Sequence, residues 1–207
     1  MKNNMKNIMK KKQGRFIVFE GLDMAGKTTI IKEILDKIDE PQNYVYNKGL
    51  KSDTFLGKLA PKFPSTFSFM LELAYSTQHI VKPALKEGKT VLQDRYDFSV
   101  KSFVPQINRF YNRFWSKVGS LFLLKPDKLF YITVLPEERL KRLEQDTDNK
   151  YHQILLDNPE LIQMREEKYH ELYDSFQGEK YLIDTTNRSI DSVVDEVMSK
   201  IKEKSGN

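Results

Sequence analysis

The run FEGLDMAGKTT, from Phe19 to Thr29, constrains the fold of this chain more than any other stretch, because it sets the phosphate-binding pattern GxxxxGK[ST] between two segments of different periodicity. Before it comes the apolar run Phe16 to Phe19. After it, Ile30, Ile31, Ile34, Leu35 and Ile38 recur at helical spacing. Strand, loop and helix thus occur in the order the pattern requires, which a chance match need not satisfy. Gly21 and Gly26 let the backbone turn without side-chain clash. The N–H groups from Gly21 through Leu22, Asp23, Met24, Ala25 and Gly26 can then face phosphate oxygens at the positive end of the helix. Lys27 adds a point charge for the outer phosphates, the Thr28 hydroxyl is placed for Mg²⁺, and Thr29 continues the cradle.

A length of 207 residues with 39% apolar content suffices for the core of one α/β domain without staples. The absence of cysteine excludes a disulfide framework, thiolate zinc ligation and a cysteine nucleophile, and three histidines make a His-based metal site a poor reading. No stretch approaches the ~18 consecutive apolar residues of a membrane span, and the Lys-rich start has no apolar signal-peptide segment. The expectation is a soluble cytoplasmic protein with no membrane partner. A net charge of +5 points to nucleic acid until it is located: Lys2, Lys6, Lys10, Lys11, Lys12 and Arg15 fall in a start without acids, which leaves the rest of the chain at −1. Residues 1–14 therefore read as a disordered, solvated basic arm, with weak polyanion binding as the alternative, and no sequence-specific nucleic-acid partner is expected.

Four apolar runs read as buried parallel strands, RFIVFE at 15, TVLQD at 90, KLFYITV at 128 and KYLID at 180, with NYVY at 43 a shorter fifth. Helical patterns lie between them. Lys27 to Ile38 is one, and the last carries Ile190, Val193, Val194, Val197, Met198 and Ile201, with Ser189 as N-cap and Asp191 in the first turn. Strands alternating with helices imply right-handed crossovers and a doubly wound, five-stranded parallel sheet with helices on both faces, an α/β fold whose ligands lie across the carboxyl ends of the strands. Lys48 to Lys62 and EQDTDNKYHQ at 144–153 are hydrophilic or irregular. The second suits a lid over phosphates or an ordinary solvent loop.

The strand TVLQD ends in Asp94, followed at once by Arg95 and Tyr96. An acid at the end of a strand beside a phosphate loop can hold a water on Mg²⁺, and an adjacent guanidinium can grip a second phosphate bidentately. Alone, DRY would equally fit a surface acid and arginine capping a helix.

Taken together, FEGLDMAGKTT, KPALKEGKTVLQDRYDFS, LPEERLKRL, MREEKYHELY and YLIDTTNRSIDSVVDEV resemble the thymidylate kinases in order and spacing, from about Phe16 to the C-terminal helix. The resemblance implies a P-loop NTPase of the nucleoside monophosphate kinase type. Such a protein moves the γ-phosphoryl of ATP, with Mg²⁺, to dTMP, and works as a homodimer built on the helices around Pro64 to Leu85 and Asp97 to Trp115. For Asp23 it implies a contact with the sugar 3′ region, for Arg95 the acceptor phosphate, for Asp94 the magnesium-water network, and for Phe69 a flank of the base. Arg142 would pack on the donor adenine. Lys48, Tyr96 and Ser99 fall among the acceptor contacts, and Lys27, Arg95 and Lys150 among the catalytic groups. Without the resemblance, Phe69 reads as core and Arg142 as a solvated helix face.

The chain also departs from the family pattern. The Arg expected about four residues after the pocket aromatic is missing from Leu71 to Lys82, and Val104 stands where a base-facing Gln is common. YNKGLKSDTFLG replaces TREPGGTPLG, with Lys48 and Lys51 as its only cations. Met24 replaces the phosphate-loop Arg of some members, and the lid offers Lys150 beyond Arg139 and Arg142. These losses fall on selectivity and rate more than on nucleotide binding. The rival readings are a kinase for another deoxynucleotide or a nucleoside, for which Glu20 or Asp23 would serve as base, and an ATP-binding module without transfer activity.

Overall fold

Apolar residues at every position of a strand, rather than at alternate ones, mean that both faces of its sheet are covered. In β1 (Arg15–Glu20), Phe16 and Val18 join one buried cluster, and Ile17 and Phe19 join another on the opposite face. The computed structural model describes residues 14–62, 65–102, 109–146 and 150–203, without the side chains of residues 61, 109–113, 150 and 151. Most of the basic arm and Val104 lie outside the described residues.

Beside β1 run β2 (Tyr44–Lys48), β3 (Thr90–Asp94), β4 (Lys128–Thr133) and β5 (Glu179–Asp184), all parallel, in the order β2-β3-β1-β4-β5. This is the doubly wound sheet expected from the sequence, with its strands in place to within a residue or so. Val134, read as the end of the fourth strand, lies just beyond it and is still buried. Register places Phe19 beside Asp94 and Lys48 beside Asp94 on the other side, so the ends of β1, β3 and β2 form one rim.

One face of the sheet is covered by α1 (Lys27–Lys37) and, late in the chain, a helix whose Val193, Val194, Val197 and Ile201 meet Ile30, Ile31 and Ile34. That last helix, Ile190–Lys202, opens as expected: Ser189 accepts from the Ser192 N–H, and Asp191 sits in the first turn, near the positive end of the macrodipole. The other face is covered by α2 (Phe55–Leu59), α3 (Thr66–Ser76), α4 (Lys82–Lys86), α5 (Asp97–Ser102), α6 (Arg109–Ser120), α7 (Pro136–Gln145), α8 (Lys150–Asp157) and α9 (Pro159–Ser175), several of which send side chains into the cluster that holds Phe16 and Val18. The Ile190–Lys202 helix completes the set as α10. Within Lys48 to Lys62, read as irregular, Thr54 caps α2 by accepting from the Gly57 N–H, and a 3-10 turn follows over Ala60–Lys62. Between α3 and α4 the chain widens into a π turn, Thr77–Val81.

Candidate active site

The phosphate loop is shaped by close backbone approach. A Cβ on Gly21, where φ is 145°, would lie 2.2 Å from the Ile132 carbonyl oxygen, so only glycine fits between β1 and β4. Gly26, at φ 94°, is the N-cap of α1 and leaves that helix end without a side-chain cap. Met24 also takes a left-handed conformation, at φ 63°. Lys27 folds back inside the loop, its Nζ donating to the Leu22 carbonyl at 2.6 Å. Burial, and then Arg95, push the Lys27 ammonium down to about 7, against the pull of Asp94, Asp23 and Glu20. Thr28 and Thr29 are exposed at the mouth.

Thr28 Oγ1 donates to Asp94 Oδ2 at 2.5 Å, and the Tyr46 hydroxyl reaches the same oxygen at 3.3 Å. Asp94 is buried, and its Oδ1 has no hydrogen-bond partner among the described residues. An orphaned carboxylate oxygen beside a threonine hydroxyl suits Mg²⁺, which takes one or two protein oxygens and completes its shell with water and phosphate. No group of three or more His, Cys, Asp or Glu suited to a metal occurs among the described residues.

Arg95 holds the neighbouring position in a left-handed backbone conformation, φ 71°, a strain of about 1–3 kcal/mol of the kind that concentrates at functional sites. Its Nη2 donates to Asp23 Oδ1 at 2.6 Å, and its Nη1 lies 3.3 Å from Ser99 Oγ. Asp23 is claimed from the other side as well, by Arg165 Nη1 at 3.2 Å from Oδ2. Burial alone would raise this carboxyl, but Arg95, then Arg165 and Lys27, hold it well below the usual carboxylate range.

Below them sits Glu20, fully buried and pushed up by that burial. It accepts from the Tyr96 N–H (2.8 Å), the Ser99 N–H (3.1 Å), the Ser99 hydroxyl (2.6 Å) and the Tyr169 hydroxyl (3.3 Å). The carboxylate at the end of β1 thus ties the turn after β3 to α9.

The rim thus holds a phosphate loop beside a metal-suited acid and a strained arginine. The thymidylate kinase family model covers residues 19–197. The chain belongs to the thymidylate kinase family. As a member it is a phosphotransferase, and its reaction is the ATP-dependent phosphorylation of dTMP. It is similar to the thymidylate kinase of Ligilactobacillus salivarius, 26% identical over 90% of this chain and 97% of the relative, and to that of Bacillus licheniformis, 28% identical over 92% and 96%. The solved thymidylate kinase structure from Candida albicans, at 19% identity, superposes with a TM-score of 0.73 over 92% of each chain. That from Ehrlichia chaffeensis, at 20% identity, gives 0.69 over 92% of this chain and 100% of the other. These two show a shared fold.

Within this kinase the expected site residues divide. Lys27, Thr28, Asp94, Arg95 and Asp23 converge at the carboxyl ends of β1 and β3. Two further expected acceptor contacts, Tyr96 and Ser99, are buried beside this group. The Tyr96 ring meets Phe16 edge-on at 5.2 Å and its hydroxyl accepts from the Leu124 N–H, while Ser99 is held by Glu20, Tyr169 and Arg95. Arg142 stands beside the phosphate loop, donating to the Met24 carbonyl at 3.0 Å and paired with Glu138. Arg139 is buried and forked onto Glu166, a structural role rather than a lid cation. Phe69 is half-buried against the core, Lys48 is exposed at the end of β2, and Lys150 opens α8 with its side chain outside the described residues. Arg165, Tyr169 and Tyr46 were not singled out from sequence. The spacing of Arg165 and Tyr169, four apart on one helix face, is the only signal that linked the first two.

Proposed function

We propose that Lys27 accompanies the transferring phosphoryl group of ATP, that Thr28 and Asp94 hold Mg²⁺, that Arg95 grips the acceptor phosphate, and that Asp23 meets the sugar of dTMP. The observation that supports this division is Arg95, which stands between the phosphate loop and α5 with its guanidinium on a carboxylate, the nearest analogue in the chain of an acceptor phosphate. Bound Mg²⁺ supplies charge neutralisation across the phosphates. The chain's own part is placement: the loop fixes the donor, Arg95 the acceptor, and Lys27, at about 7, is recharged as a polyphosphate closes on it. Arg142 flanks the donor base, and Lys150 brings the lid's cation.

A nucleoside acceptor would need a general base, and neither candidate is suited to the task. Glu20 is saturated by four donors, and Asp23 is held ionised by two guanidiniums. A monophosphate needs no base. A homodimer in the cytoplasm completes the reading. Phe67, Leu71 and Tyr75 form an exposed apolar stripe on α3 at four-residue spacing, and Phe114 of α6 is exposed beside it, next to Trp115, whose ring packs on Phe67.

A coupled assay of ATP against nucleoside monophosphates and nucleosides tests the reaction. We expect dTMP to be used, thymidine not, and dUMP within about two orders of magnitude of dTMP in kcat/KM, since a C5 methyl is worth only ~1–3 kcal/mol. A preference for dTMP over dUMP of four orders, or turnover of thymidine, contradicts the reading.

A further inference from the structure

The base-reading wall of the acceptor site lacks its expected Arg and Gln, and the polar side chains nearest in sequence are occupied elsewhere. Tyr75 is stacked on His79 with ring centroids 4.0 Å apart, Gln78 donates to the Phe122 carbonyl and accepts from Lys82, and Lys101 is paired with Asp97. One polar group on α3 is not used up. Glu72, three residues and so one turn beyond Phe69, is fully buried. Its Oε1 accepts from the Ser52 hydroxyl, and its Oε2, also buried, has no partner among the described residues.

Ser52 belongs to the segment that leaves β2 beside the turn that carries Arg95. Gly49 donates to the Asp94 carbonyl at 2.8 Å, and a Cβ there would lie 1.8 Å from the Arg95 carbonyl oxygen, so this segment is pressed onto the turn that carries Arg95. Three residues on, Ser52 reaches Glu72. A continuous path therefore joins Arg95 to Glu72 and Phe69.

We propose that Glu72 is a specificity-determining residue that reads the acceptor base, its Oε2–H donating to the 4-keto oxygen of a pyrimidine deoxynucleotide. The inference rests on the dTMP reading above and deepens it. When the Ser52 hydroxyl donates to Oε1, that oxygen acts as the carbonyl one and the proton of a neutral carboxyl sits on Oε2. Burial pushes Glu72 up to about 7, so near neutrality both forms are present. The neutral form offers a donor to thymine or uracil. The ionised form offers only acceptors, which oppose a keto oxygen and suit the 4-amino group of cytosine. No charged group on the packed elements overrides this: Lys51, Asp53 and Lys58 on the β2–α2 side and Lys117 of α6 are exposed, and Asp97 and Lys101 of α5 neutralise each other.

The test measures kcat and KM for dTMP and dCMP on the full chain at saturating ATP, from about pH 6 to about pH 8, together with calorimetric binding of both nucleotides. We expect the dTMP-over-dCMP ratio of the wild type to fall about tenfold as pH rises across this range. Glu72→Gln keeps an amide donor, so it retains the KM for dTMP and flattens the pH profile. Glu72→Leu raises that KM about tenfold to hundredfold with kcat and the KM for ATP unchanged. Unchanged acceptor affinity in Glu72→Leu overturns the inference. So does a Ser52→Ala variant that reproduces the whole loss, because Glu72 would then serve only to anchor the segment. If the wild type binds dTMP but does not phosphorylate it, the reaction assignment fails on its own and the calorimetric comparison still decides the role of Glu72.

Discussion

The proposed donor and acceptor halves of this site are built by different means. On the donor side, Gly21 to Thr29 is one contiguous segment whose shape comes from backbone: two glycines at positive φ, one pressed against a neighbouring strand, and a helix end left open to anions. On the acceptor side, Arg95, Asp23, Arg165, Glu20, Ser99 and Tyr169 come from three segments far apart in the chain, 20–23, 95–99 and 165–169, the first of which runs into the phosphate loop, and are held by one another's charges and hydroxyls. A contiguous loop tolerates change in its surroundings. A dispersed network propagates it.

The largest expected effect lies on the donor side. Lys27→Ala should lower kcat by about a thousandfold or more in a folded protein, because transfer depends on positive charge carried with the phosphoryl group. Near wild-type turnover in the folded variant would erase the distinction between the two halves.

The acceptor side should show graded losses. Arg95→Ala is expected to weaken dTMP binding about a hundredfold while ATP affinity changes little, as fits the loss of charge-assisted hydrogen bonds. Arg165→Ala, which leaves Asp23 with one guanidinium, should cost about tenfold in dTMP affinity through looser placement of Asp23 and Arg95. Equal losses for both nucleotides by calorimetry would show that the two halves are one unit.

The smallest effect is a proton. Ligand-free Lys27 titrates at about 7 against an ordinary value of 10.5. Between those values the unfolded chain binds more protons at this position than the folded one, so this group's contribution makes stability rise with pH across that window. An arriving polyphosphate restores the charge. At pH about 8, ATP binding should therefore take up a fraction of a proton, read from binding enthalpies in buffers of different ionisation heat, and at pH about 6 the uptake should vanish. Equal uptake at both pH values would place the proton elsewhere.

The same division explains what the sequence made legible. The phosphate loop and the sheet could be read because their signals are local: a glycine pattern, continuous apolar runs, and a helix cap at Ser189. Asp94 and Arg95 stand out in the sequence because strand and motif coincide. The burial of Tyr96 and Ser99 is not legible in the sequence, because a motif gives position along the chain and not the direction of a side chain; the Tyr96 ring packs on Phe16, and the Ser99 hydroxyl is held by the Glu20 carboxylate. Arg165 and Glu72 were invisible as site residues, since their partners Asp23 and Ser52 lie 142 and 20 residues away and only tertiary packing brings them together.

The bridge that Asp23 makes between Arg95 and Arg165 means that this pair of cations never meets an incoming anion unopposed. A tethered carboxylate occupies them beforehand at high local concentration, as an internal competitor. Stray monoanions that form one weak contact cannot dislodge it. On the proposed roles, a phosphomonoester dianion that also recruits Asp23 through its sugar would turn the displaced competitor into a partner, and the site's resting state would itself select against simple salts.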